Sequence, residues 1–226
     1  MDSFPFAVVV FDLDGTLIDT APDLTEALNH MLQRLGRSPL PSSQVIEMVG
    51  RGMRNLIERG LGATGPVTPA LIDEALPLFL EFYEAHIADR SQPYEGAETA
   101  LNLLQKRGAR LALCSNKPEA LSRKLLAAFG WRERFASVVG GDTLPLRKPD
   151  AAPLREAIAR AGGGLAVLVG DSITDIQTAQ AAGLPSVAMS FGYRDRPASA
   201  LGATVLLDRF DQLLPALETL GGGPVR

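Results

Sequence analysis

The sequence predicts an α/β fold: a doubly wound parallel sheet with an α-helical insert after the first strand. Three observations carry that expectation. Short, unbroken apolar runs recur along the chain and each ends in polar residues. Helical stretches bounded by proline or glycine separate the later runs. Between the first and second runs lies a block, residues 20–92, whose periodicity is helical throughout.

The first run, Phe6-Ala-Val-Val-Val-Phe-Asp12, has the continuous apolar character of a parallel strand covered on both faces. In the insert, helices are expected over 23–35, 43–49 and 53–61. Thr68-Pro69 then caps a longer segment reaching residue 88, which Pro77 should kink or divide. A second strand is expected over 110–115 and another over 165–171. Val138-Val139 and 186–189 read as shorter strands, and 204–206 as a last edge strand. The intervening helices run over 96–106, 117–129, 150–161 and 173–182, with 210–220 closing the fold. Alternating strands and helices imply parallel pairing with right-handed crossovers. The expected organisation is a core of residues 1–19 and 93–226 and a helical cap of residues 20–92.

Composition narrows the function classes. A chain of 226 residues and 24.0 kDa can build one full domain and a small insert. Its net charge of −4 argues against a nucleic-acid partner, which normally demands a basic surface. A single cysteine excludes an intrachain disulfide and a cysteine-based zinc site. The apolar run 6–11 is far short of the ~20 residues of a membrane span, and no basic segment precedes it as in a secretory signal. A cytoplasmic protein, a monomer or small homo-oligomer, is the default expectation. Only four lysines occur, Lys106, Lys117, Lys124 and Lys148, and none lies in the first 105 residues.

In an open α/β sheet, ligands bind at the carboxyl ends of the strands, so the polar residues there are the candidate site. The first strand ends in Asp12-Leu-Asp14-Gly-Thr16, the second in Ser115-Asn116-Lys117, and a later one in Gly170-Asp171-Ser-Ile-Thr-Asp175. Arg147-Lys148-Pro149 precedes the helix at 150. Four carboxylates on one rim repel: two unit charges about 4 Å apart, at an effective dielectric of ~20, cost about 4 kcal/mol. A hard divalent cation with oxygen ligands removes that cost, and Mg²⁺ suits it. Such a cation would attract a phosphorylated substrate and screen an attacking carboxylate.

Competing motifs fail. Asp-x-Asp-Gly could open a calcium loop, but the glycine of such a loop belongs at its sixth position, which here is Leu17. None of the lysines precedes serine or threonine, so there is no P-loop. No Gly-x-Ser-x-Gly elbow exists, and Asn55 stands where a dinucleotide fingerprint needs its third glycine. Cys114, Trp131, His30 and His86 read as packing or helix-surface residues.

Taken in order, 12–17, 115–117, 147–149 and 170–175 resemble the four motifs of the haloacid-dehalogenase superfamily. The stretches 17–24, 49–52, 138–142 and 191–193 are similar to those of bacterial phosphoglycolate phosphatases. The resemblance covers nearly the whole chain and implies a Rossmann-like core. It implies Asp12 as nucleophile and metal ligand, and Asp14 as general acid–base with its carbonyl on the metal. It places Thr16, Ser115 and Asn116 at the substrate and Lys148 at the phosphoryl oxygens. Asp171 becomes a direct metal ligand and Asp175 an indirect one. The expected reaction is Mg²⁺-dependent hydrolysis of a small phosphorylated metabolite, 2-phosphoglycolate foremost, through an aspartyl-phosphate.

Alternatives on the same fold are a sugar-phosphate phosphatase, a phosphomutase or a non-catalytic binding module. A dehalogenase does not need Asp14, and phosphonatase chemistry needs a cap lysine that residues 20–92 lack. Arg51 or Arg54, beside Gly50 and Gly52, is expected to meet a substrate carboxylate, because guanidinium pairs bidentately with it.

Overall fold

The computed structural model describes residues 4–193 and 196–222. Six parallel strands form the main sheet: β1 (Val8–Phe11), β4 (Arg110–Cys114), β5 (Phe135–Val139), β6 (Ala166–Gly170), β7 (Ser186–Met189) and β8 (Val205–Leu207). Their order is β5-β4-β1-β6-β7-β8, so β1 sits between β4 and β6. That is where the winding direction reverses, and a crevice opens at the carboxyl ends of strands at such a point.

Burial explains the unbroken apolar runs. Every residue of β1 and β6 is buried, and alternate side chains feed opposite faces. Val9 and Phe11 enter one core with Leu101 and Leu104 of α5 (Ala97–Lys106) and Leu213 and Leu217 of α9 (Leu213–Gly222). Val8 and Val10 meet Leu154 and Ala157 of α7 (Ala151–Arg160) and Ala179 of α8 (Ile173–Ala182). The last helix of the sheet layers, α6, spans Glu119–Ala128.

Between β1 and β4 lie α1 (Ala21–Arg34), α2 (Ser42–Ile46), α3 (Met53–Thr64) and α4 (Pro69–Ala85). Residues Leu24, Leu28, Met31, Ile57, Leu61, Phe79 and Tyr83 of these helices join the first core. Gly60 of α3 permits a close crossing with α1, since a Cβ there would lie 2.7 Å from Leu28. A two-stranded antiparallel ribbon, β2 (Ile18–Asp19) and β3 (Gln92–Pro93), joins the ends of this helical block. Two-residue strands are too short to show a sequence period. Asp23 pins the start of α1 to the far end of the block, accepting hydrogen bonds from Arg90 N, Ser91 N and Ser91 Oγ.

Pro77 does not divide the fourth helix, which runs unbroken from Pro69 to Ala85. The carbonyl it leaves without a helical donor belongs to Asp73, on the exposed face, where water can replace the lost bond. On the other face Ile72, Ala75, Phe79 and Tyr83 hold both halves against the core. The second helix is shorter than expected, ending at Ile46 with turns over 47–50.

Candidate active site

Pairing across β4-β1-β6 brings three strand ends side by side, and the residue following each strand carries the site. Asp12 follows β1, Ser115 follows β4 and Asp171 follows β6. Asp12 N bonds the Val169 carbonyl at 2.9 Å, which fixes the first end against the third.

Asp12, Asp171 and Asp175 each offer a carboxylate oxygen within 4.8 Å of the others, and all three are buried. Lys148 lies among them, its Nζ 3.0 Å from Asp12 Oδ1 and 2.6 Å from Asp175 Oδ1. Burial would lower the lysine's pKa, but Asp12 and Asp175 outweigh it and keep the ammonium charged. Burial pushes Asp12 up to about 6; Lys148 opposes that rise, while Asp175 and Asp14 add to it. Asp171 is raised for the same first reason, with Asp175 and Asp12 next.

Each carboxylate is held differently. Asp171 accepts from Thr16 Oγ1 at 2.6 Å through one oxygen and from Tyr193 N at 2.6 Å through the other. Asp175 caps α8 by accepting from Ser172 N and Ser172 Oγ, and its second oxygen meets Lys148. Asp12 Oδ1 makes no hydrogen bond of good geometry despite its nearness to Lys148. Both neighbouring glycines allow Asp171 to come this close. A Cβ on Gly15, whose φ is +84°, would lie 2.7 Å from Asp171 Oδ2, and one on Gly192 only 2.3 Å away.

Asp14 is turned towards the helical block. Its Oδ1 accepts from Thr20 Oγ1 at 2.7 Å and pairs with Lys117 Nζ at 2.9 Å. Four carboxylates thus face two ammonium groups, leaving two negative charges when all are ionised. That deficit, the all-oxygen donor set and the unbonded Asp12 oxygen fit a divalent cation.

A narrow pocket opens between the sheet and the helical block, bordered by Asp12, Asp14, Ser115, Lys117 and Tyr83. Leu24, Val49, Met53 and Leu56 make its apolar wall. The structure therefore brings Asp12, Asp14, Ser115, Lys148, Asp171 and Asp175 to one rim.

The other four candidates, Thr16, Asn116, Arg51 and Arg54, make contacts that the sequence did not foresee. Thr16, expected at the substrate, is fully buried and spends its hydroxyl on Asp171. Asn116, expected at phosphoryl oxygens, lines the same pocket, and its amide donates to the Gly50 and Lys148 carbonyls, at 3.2 and 3.1 Å. Flipping it would aim Oδ1 at two carbonyls, so the orientation is fixed by chemistry. Arg51 lines a neighbouring cleft with Ser172, Thr174 and Tyr193, while Arg54 pairs with Asp73 on the exposed face.

Lys117 and Tyr83 border the pocket without having been singled out for a role. The scarcity of lysine was the available signal for Lys117; nothing marked Tyr83. Cys114 is buried behind the site, and burial pushes its thiol up to about 12, which makes it a packing residue.

Comparison with known proteins agrees with this geometry. The sequence pattern of haloacid dehalogenase-like hydrolases matches residues 9–189. The chain is 42% identical to a phosphoglycolate phosphatase of Caulobacter vibrioides, over 95% of this chain and 92% of that one. It is 44% identical to one from Mesorhizobium japonicum, over 91% and 92% respectively. The crystal structure of a predicted phosphoglycolate phosphatase from Haemophilus somnus superimposes with a TM-score of 0.89 at 28% identity, covering 94% of this chain and 98% of that one. With this sheet order, this rim of carboxylates and these relatives, the chain belongs to the haloacid dehalogenase-like hydrolases, among their phosphatases.

Proposed function

We propose that the protein is a Mg²⁺-dependent phosphomonoesterase that converts 2-phosphoglycolate to glycolate through an aspartyl-phosphate on Asp12. The observation that carries this reading is the setting of Asp12. It is a buried carboxylate with one oxygen beside Lys148 and without a good hydrogen bond, at the edge of the pocket between the sheet and the helical block.

Asp12 attacks phosphorus in line, and the bond from phosphorus to the ester oxygen breaks. Its electron pair leaves with that oxygen, which takes a proton from Asp14. Water then attacks the phosphorus of the aspartyl-phosphate while Asp14 takes a proton from it. The bond to Asp12 breaks, restoring the carboxylate and releasing inorganic phosphate. Lys148 and the Ser115 hydroxyl stabilise the phosphoryl oxygens during both transfers.

Asp12, Asp171 and the Asp14 carbonyl would hold the cation, with Asp175 acting behind them through the Lys148 and Asp171 contacts it already makes. When bound, the cation supplies the positive charge that lets two anions meet. Helices α1–α4 act as a cap that excludes water from the pocket. Relatives at 42% and 44% identity that are phosphoglycolate phosphatases support the substrate. Arg51, on the cap turn between Gly50 and Gly52, is proposed to meet the substrate carboxylate.

A panel of small phosphomonoesters, with and without Mg²⁺, tests the reading. The highest kcat/KM is expected for 2-phosphoglycolate, only with the metal. R51A is expected to raise KM for that substrate and not for esters lacking a carboxylate. A sugar phosphate turned over faster than 2-phosphoglycolate would overturn the substrate assignment.

A further inference from the structure

Lys117 has no part in the mechanism above, yet its side chain is only 4% exposed and its charge is fully engaged. Nζ lies 2.9 Å from Asp14 Oδ1 and 2.7 Å from the Tyr83 hydroxyl, and 4.7 Å from the centre of the Tyr83 ring. Burial would lower this lysine's pKa; Asp14 and Tyr83 more than reverse that, so the ammonium stays charged. Tyr83 belongs to α4 of the helical block, is itself fully buried, and packs on Phe79 with ring centres 5.6 Å apart. Asp14 lies just past the first strand of the sheet. The chain Tyr83–Lys117–Asp14 therefore crosses the boundary between the block and the sheet.

Its geometry has a chemical consequence. Thr20 and Lys117 both bind Asp14 Oδ1, which sets the plane of the carboxylate and leaves neither of these bonds on Oδ2. A carboxyl that must hand a proton to one oxygen and later take one from water works best with a single fixed orientation. Burying an ammonium is costly unless it is paired and hydrogen-bonded, and half of Lys117's pairing comes from the helical block.

We propose that Lys117 is a positioning residue that orients Asp14 for proton transfer, and that Tyr83 holds Lys117 in place only while the helical block is seated over the pocket. The device couples closure to acid–base chemistry: with the block displaced, Lys117 loses the Tyr83 hydroxyl and Asp14 loses its fixed partner. The inference rests on the reading of Asp14 as the general acid–base.

The test uses two substrates that differ in their need for a proton. The alkoxide of 2-phosphoglycolate needs protonation as it leaves; the nitrophenolate of p-nitrophenyl phosphate does not. The kcat/KM of each reports the first transfer alone. D14N establishes whether Asp14 is the acid: its loss should be far greater on 2-phosphoglycolate. Y83F keeps the ring and the Lys117–Asp14 pair while removing the hydroxyl. It should lose about 10-fold on 2-phosphoglycolate, and K117M about 100-fold, the lower end of the roughly 10²–10⁴ range of general acid catalysis. Each loss should be at least several-fold smaller on p-nitrophenyl phosphate.

Equal losses on both substrates, or no loss, in Y83F would overturn the proposal, and Y83F decides the matter should K117M fail to fold. A selective loss in D14N without one in Y83F and K117M would refute this inference alone. No selective loss in D14N would refute the reading of Asp14 beneath it. Thermal melting of the metal-free protein supplies a second readout. K117M removes the ammonium partner of a carboxyl that is only 11% exposed, so D14N–K117M should melt higher than K117M; a lower melting temperature would contradict the pairing.

Discussion

Lys148 Nζ stands 3.0 Å from Asp12 Oδ1, with the two side chains only 2% and 8% exposed. A second carboxylate, Asp175, shares the same ammonium at 2.6 Å. Lys148 therefore neutralises the base of the site when no cation is bound, and in the proposed mechanism the same ammonium serves the phosphoryl oxygens. Removing it leaves Asp12 and Asp175 facing each other without compensation.

K148M should lose turnover by at least 100-fold and also destabilise the metal-free protein. Breaking one side of a buried ion pair typically costs about 3–5 kcal/mol. Chemical denaturation of K148M without metal measures the second effect. Unchanged stability would mean the carboxylates are discharged some other way.

The pH dependence of metal binding follows from Asp12. Its folded-state pKa, pushed up from 3.8 to about 6 chiefly by burial, lies above the ordinary value, so the fold prefers the protonated acid. Its contribution to metal-free stability is therefore fullest below pH 4 and fades as the pH climbs through 6. The span corresponds to about 3 kcal/mol. Asp171, raised in the same direction, adds to the trend. Cation binding needs the ionised carboxylates, so Mg²⁺ should raise the melting temperature much more at pH 7.5 than at pH 5. Equal gains at the two pH values would contradict this picture.

Gly192 tests how closely Asp171 must be approached. A Cβ there would fall 2.3 Å from Asp171 Cβ, from Asp171 Oδ2 and from the Gly15 carbonyl, so the Asp171 side chain or the backbone must shift. G192A should weaken Mg²⁺ binding at least 10-fold by displacing Asp171, and calorimetric titration would measure it. Wild-type affinity would show that Asp171 is not needed where it now stands.

The base of the site was legible in the sequence because Asp12, Ser115 and Asp171 each follow a strand of the predicted parallel sheet. Asp12, Ser115 and Asp171 needed only the strand ends to be located, and the apolar runs located them. What depended on docking the helical block was not legible. The Asn116 amide is consumed by the Gly50 carbonyl across that boundary, a contact that no local pattern encodes. Lys117 meets Tyr83 for the same reason, 34 residues apart in the chain. Thr16 looked like a substrate hydroxyl because it follows Asp-x-Asp-Gly, yet the turn at Gly15 buries it against Asp171. Pro77 did not divide its helix, one of the two expected outcomes: its local penalty is real, but the buried stripe of α4 outweighs it.

In the proposed reaction Asp12 carries the phosphoryl group. The direct measurement is peptide mass spectrometry after rapid acid quench of the Mg²⁺-loaded protein turning over 2-phosphoglycolate, with borohydride reduction to trap an acyl phosphate. The account predicts a reduced residue at Asp12 alone, formed within one turnover, and neither label nor turnover in D12N. Turnover in D12N at the wild-type rate, or a trapped group on another residue, would contradict it.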